Sequence, residues 1–167
     1  MEIRASKRKS IRLPGFDYSQ AGAYFVTICS NQRRCLFGEI LDYRMEANAV
    51  GLLIAACWLR LGDDYPFIAL DTWVLMPNHL HAIIWLGSNN PSRKPLSQIV
   101  ASFKAMSTSK VRKAFGNNIK LWQRGYFEHI IRNDDDLFRI REYIVGNPAL
   151  WALNSENPSF KTDALQA

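Results

Sequence analysis

Histidine and cysteine are scarce in this 167-residue chain, three of each, and no apolar run approaches the ~20 residues that a membrane-crossing helix needs. Each scarcity removes a class of protein. Cys29, Cys35 and Cys57 are odd in number and nowhere spaced Cys-x-x-Cys, so neither a zinc knuckle nor a dithiol redox site is expected, and they read as reduced core residues. The longest apolar stretches, such as Val50 to Leu59, are too short to span a bilayer, and no charged start leads into an apolar segment and cleavage site. A cytoplasmic protein without a membrane partner is expected. Acidic residues are also in short supply: 15 Asp and Glu against 21 Lys and Arg leave a net charge of +6, which favours polyanionic partners, nucleic acid before an anionic membrane. Repeats and low-complexity tracts are absent.

What is present suggests one domain. Residues 1–13 carry Arg4, Lys7, Arg8, Lys9 and Arg12 against Glu2 alone and read as a basic arm; residues 14–153 read as the domain proper and 154–167 as a tail. Gly22–Ser30, rich in β-branched and aromatic residues, is predicted to form a hairpin with Cys35–Leu41 across the turn Asn31-Gln32-Arg33-Arg34. Val50, Ile54, Cys57, Trp58 and Leu61 recur at helical spacing within Ala47–Leu61. Ile68–Met76 and His79–Leu86 read as strands around a Pro77-Asn78 break, and Gly87–Pro95 as a loop. Ser97–Phe115 is a second helix, with Lys104, Lys110, Arg112 and Lys113 set among its apolar positions. Leu121–Arg132 reads as a strand, and Asn133 with Asp134, Asp135 and Asp136 caps a third helix, Leu137 to Gly146, which Asn147-Pro148 ends. The order predicts an α+β fold: a ferredoxin-like, or RRM-like, mostly antiparallel sheet with helices on one face, plus a C-terminal helix bearing Tyr143.

Two of the three histidines, His79 and His81, lie one residue apart in the strand His79–Leu86, so both side chains project to one face while Leu80 and Ala82 take the other. Paired imidazoles inside an apolar strand cost desolvation, which a divalent cation or a hydrogen-bond network can offset; the pair alone does not choose between them. In the last helix, Tyr143 and Asn147 are four residues apart and share a face with Asp136, Arg139 and Ile140. A protonated phenol is a weak nucleophile. A cation that polarises a phosphodiester would make it effective, and two imidazoles plus one amide leave coordination positions for the phosphate.

Three segments, Met76-Pro77-Asn78-His79-Leu80-His81, the aromatic and basic run 121–132, and Tyr143-Ile144-Val145-Gly146-Asn147-Pro148, resemble in order and spacing those of the REP-associated tyrosine transposases. These are single-domain members of the HUH endonuclease superfamily, related to the small tyrosine transposases of insertion sequences, and the resemblance runs from about Arg12 to Trp151. It implies that His79 and His81 hold a metal ion, that Tyr143 attacks DNA to form a 5′-phosphotyrosine and release a 3′-hydroxyl, and that Asn147 is the third ligand. Several relatives carry Gln at that last position, and His129 is the rival ligand. The implied substrate is single-stranded DNA beside a hairpin, and the implied assembly a monomer or a homodimer. Phosphate chemistry argues for Mg²⁺ or Mn²⁺, although imidazole ligands would also admit zinc or nickel. Trp122, Tyr126 and Phe127 beside Gln123 and Arg124 combine stacking surface with charge, as single strands require, while Trp122 also suits a core anchor. Arg8, Arg12 and Lys104 would contact phosphates. The competing reading is a protein that binds hairpin DNA without cutting it.

Overall fold

In the computed structural model, which describes residues 13–90, 92–153 and 157, the chain runs β1 (Gly22–Cys29), β2 (Gly38–Leu41), β3 (Arg44–Ala47), α1 (Ala49–Leu59), α2 (Leu61–Asp64), β4 (Ile68–Met76), β5 (His79–Leu86), α3 (Leu96–Phe115), β6 (Phe127–Ile131) and α4 (Asp134–Gly146). The basic arm up to residue 12, with Arg8 and Arg12, lies outside the described residues, as does the tail apart from Asn157. Strands β4, β5, β1 and β6 lie side by side in that order, every neighbour antiparallel. With helices joining β1 to β4 and β5 to β6, this is the expected ferredoxin-like arrangement.

Strand alternation sorts the side chains into two cores. Tyr24, Val26 and Ile28 of β1 and Leu80, Ala82, Ile84 and Leu86 of β5 face one side, where α1 supplies Ile54, Cys57 and Trp58 and α3 supplies Ile99, Val100 and Phe103. Ala23 and Ile83 face the other side and meet Leu137 and Ile144 of α4 in a smaller cluster. Covered on both faces, β5 is buried everywhere except at Trp85. Helix α4 starts where Asn133 accepts the Asp136 N–H at 2.8 Å, a turn earlier than its apolar pattern alone suggests. It is tied to the edge of the sheet by Arg141, whose Nε and Nη2 donate to Asp71 at 2.9 and 2.5 Å. Asp71 sits in the irregularity between Leu70 and Trp73 and also accepts the Trp85 indole N–H at 2.8 Å.

Several sequence-based expectations are corrected. The predicted pairing of Gly22–Ser30 with Cys35–Leu41 does not form, because β1 takes β5 and β6 as partners, while β2 pairs with β3 through a turn at Asp42 and Tyr43. Only the end of Leu121–Arg132 is strand: Gly125 sits at φ 78°, and before it the chain touches the sheet through one bridge, Ser30 to Trp122. Cys29 and Cys57 are buried thiols as expected, but Cys35 is exposed, since the segment before β2 lies outside the sheet. Among the described residues, no helix is long and apolar enough to cross a membrane.

Candidate active site

Met76 and His79 are register partners, so Pro77 and Asn78 form the whole turn between β4 and β5 and deliver both histidines to the α4 face of the sheet. Asn78, 1% exposed, organises this end. Its Nδ2 donates to the Arg33 carbonyl at 3.0 Å, which fixes the orientation of the amide, and its Oδ1 accepts the His79 Nδ1–H at 2.7 Å. His79 therefore carries its proton on Nδ1 and presents a bare Nε2. That nitrogen is buried and meets no hydrogen-bond partner among the described residues. An orphaned imidazole lone pair is expensive unless a ligand uses it, and a cation is the fitting ligand.

His81 lies opposite Thr27 on β1, and its Nδ1 is 2.8 Å from the Thr27 hydroxyl oxygen. With the ring proton on that side, Nε2 of His81 accepts from the Tyr143 hydroxyl at 3.3 Å. The two imidazole centroids are 4.4 Å apart. Burial, aided by the charge of Arg33, lowers the His79 pKa to about 4; burial and the neighbouring His79 carry His81 lower still. Both rings thus stay neutral, the form that donates a lone pair to a metal.

Tyr143 projects from α4 and remains half exposed. Phe25 of β1 stacks on His81 at 5.3 Å and meets the Tyr143 ring edge-on at 6.1 Å, so one apolar side chain spaces the phenol and the imidazole. A cavity of about 190 Å³ opens here, shared by Tyr143, His79, His81, Thr27 and Arg33, with no Asp or Glu in its lining. Asn147 caps α4 one turn beyond Tyr143 and is buried, although it is not among the residues lining this cavity. His129 does not line it either; its Nε2 is 2.8 Å from Asp136 on α4. Among the described residues, no three His, Cys, Asp or Glu side chains gather into a metal cluster.

Lys104, Trp122, Gln123 and Arg124 come together in a separate groove of about 910 Å³, which Arg112, Lys113 and Lys120 also line. Within it Lys104 is anchored, donating to the Gln123 carbonyl at 2.9 Å and also to that of Gly125. Trp122 packs on Phe37 and Phe103, and its indole N–H is donated to Ser107 at 2.9 Å. The ring therefore serves the core, and the charge of the groove comes chiefly from its neighbours. Asn78 and Thr27, which orient the histidines, were not legible as site residues, because their roles depend on a turn and a cross-strand register.

The REP-associated tyrosine transposase of Escherichia coli K12 is 27% identical over 138 residues, covering 78% of this chain and 68% of that protein. An uncharacterized protein of Haemophilus influenzae is 38% identical over 162 residues, 86% of this chain and 89% of its own. A solved REP-associated tyrosine transposase bound to a REP hairpin shares the fold at a TM-score of 0.59, with 24% identity, over 79% of this chain and 69% of that one. The family model described as Transposase IS200 like matches residues 19–147, a span that holds the paired histidines, Tyr143 and Asn147, and the chain belongs to the IS200-like transposase family.

Proposed function

We propose that this protein cleaves and rejoins single-stranded DNA beside a hairpin, with Tyr143 as nucleophile. The observation that carries the reading is the meeting of the Tyr143 hydroxyl with Nε2 of His81, 3.3 Å away, beside the orphaned Nε2 of His79. Phenol and imidazoles face one small cavity from opposite elements. Mg²⁺ or Mn²⁺ held by His79 and His81, with Asn147, which lies outside the cavity lining, as the third ligand that the sequence suggests, would supply Lewis-acid polarisation of the scissile phosphodiester. Asn78 keeps the His79 ring proton on Nδ1, so its Nε2 lone pair faces the cavity, and the Thr27 hydroxyl, which can accept from Nδ1 of His81, is compatible with the same tautomer there. The Tyr143 oxygen attacks phosphorus, a Tyr–O–P bond forms, and the bond to the 3′ oxygen breaks. The phenol proton passes to solvent, to which Tyr143 is open, and the departing 3′ oxygen takes one from solvent. Reversal by a 3′-hydroxyl rejoins the strand.

The DNA partner is inferred from the relative that carries a REP hairpin and from the basic groove, whose Arg112, Lys113, Lys120 and Arg124 suit phosphates. A single chain brings Tyr143 to its own His81, which supports catalysis by a monomer. An end-labelled hairpin oligonucleotide with a single-stranded flank, incubated with Mn²⁺ or Mg²⁺, tests the reading. A covalent protein–DNA band that disappears with EDTA and in Tyr143→Phe is expected. Tight binding without that band would leave a binding protein, and cleavage that survives Tyr143→Phe would assign the attack to water.

A further inference from the structure

We propose that Arg33 is a further catalytic residue, its guanidinium binding the non-bridging oxygens of the phosphodiester that Tyr143 attacks; this role rests on the strand-cleavage reading above. Arg33 lies in the turn after β1, where the sequence predicts only a change of direction. There Gln32 and Arg33 both occupy the left-handed backbone region, at φ 57° and 53°. The turn leaves Gln32 and Arg34 exposed while Arg33 is half-buried.

The backbone of Arg33 is fixed at both ends. Its N–H donates to the Ser30 carbonyl at 3.1 Å, and its carbonyl takes the Asn78 amide, the same side chain that orients His79. Arg33 and His79 are therefore held by one relay. The residue lines the cavity shared with His79, His81 and Tyr143, and its charge is felt at both the His79 ring and the Cys29 thiol.

The chemistry of the cavity points the same way. Its lining residues include Arg33, two neutral histidines and Tyr143 but no Asp or Glu, so a cation held by the histidines would add to the charge of Arg33, and an anion would complement the two together. A phosphodiester is that anion, and it becomes more negative as it passes to the transition state. The planar guanidinium fork matches two phosphate oxygens at once, a geometry that an ammonium does not reproduce. Arg139, one turn before Tyr143 and the obvious alternative, is turned to solvent, 3.8 Å from Asp136.

Single-turnover adduct formation on the hairpin oligonucleotide, with binding measured separately, tests the role. Arg33→Ala and Arg33→Gly are expected to slow the adduct by about 10²-fold while affinity stays within about threefold, the signature of an interaction made in the transition state. Glycine adopts the left-handed conformation without strain, so Arg33→Gly keeps the turn and separates a chemical loss from a folding loss. Arg33→Lys should regain part of the rate, and added guanidinium ion, but not potassium, should restore Arg33→Gly by about tenfold, because it refills a charge. A wild-type rate in Arg33→Ala would overturn the proposal, as would a loss that neither lysine nor guanidinium recovers. Absence of any adduct from the unaltered protein is a different result: it would overturn strand cleavage itself, and the role of Arg33 with it.

Discussion

Replacing Asn78 by alanine isolates the device that aims His79. The substitution removes, among others, two bonds from a nearly inaccessible position: the 2.7 Å bond from His79 Nδ1–H and the 3.0 Å bond to the Arg33 carbonyl. Leaving the buried imidazole N–H unsatisfied costs about 1–3 kcal/mol, and losing the second bond about 1 more, so a total near 2–4 kcal/mol is expected. For a chain of this size that lowers Tm by roughly 5–15 °C. The ring has one escape, which is to move its proton to Nε2. That relieves the penalty but blocks the nitrogen facing the cavity, so either outcome should weaken the proposed cation binding, by about 10–100-fold. Titration calorimetry with MnCl2 and a melting curve measure the two effects separately. Asn78→Asp retains an acceptor for Nδ1–H and should hold Mn²⁺ better than Asn78→Ala. If Asn78→Ala melts lower yet binds Mn²⁺ like the unaltered protein, the amide does not set the tautomer and the reasoning fails.

Two other perturbations follow from the same structure. His79 is neutral in the folded protein down to about pH 4, whereas in the unfolded chain it takes up a proton below about 6.5; stability should therefore fall as pH drops through that window. Melting curves between pH 7 and pH 4.5 should show a smaller decline in His79→Gln, and equal declines would count against a buried neutral ring. Arg141, with Trp85 and Thr72, holds the Asp71 carboxyl far below the usual carboxylate range, so the tie between α4 and β4 is complete at neutral pH and is lost only as strong acid protonates it. Asp71→Asn should loosen α4 at neutral pH, raising amide exchange along Asp134–Gly146 and slowing the Tyr143 adduct about tenfold through misplacement of the phenol. Unchanged exchange in α4 would show that the apolar contacts of Leu137 and Ile144 suffice to hold it.

The strands that carry the site are the most legible part of the chain. β4 and β5 run over the expected residues because Pro66 and Pro77-Asn78 bracket two strongly apolar segments, and the period of two along β5 correctly sends His79 and His81 to one face. Less legible is what depends on distant pairing. β1 is a central strand whose partners lie about 60 and 100 residues downstream, and only three-dimensional closure reveals that it bypasses the nearby Cys35–Leu41. β3 is hidden because its turn uses Asp42 and Tyr43 at φ 47° and 63°, where Asn-Gly would be the usual signal. The same limit applies to the site. Tyr143 is singled out by the resemblance of 143–148 to the tyrosine transposases, since its spacing to Asn147 alone also suits a core tyrosine and a helix stop, whereas Thr27, Asn78 and Arg33 owe their places to register, turn geometry and a left-handed backbone.

The most direct measurement is the identity of the residue joined to DNA. After reaction of the full chain with the hairpin oligonucleotide and Mn²⁺, nuclease and trypsin digestion followed by mass spectrometry should find a 5′-phosphonucleotide on Tyr143, in the peptide beginning at Glu142, together with a free 3′-hydroxyl on the released strand. A nucleotide attached to any other side chain, or cleaved DNA with no attachment at all, would contradict the account.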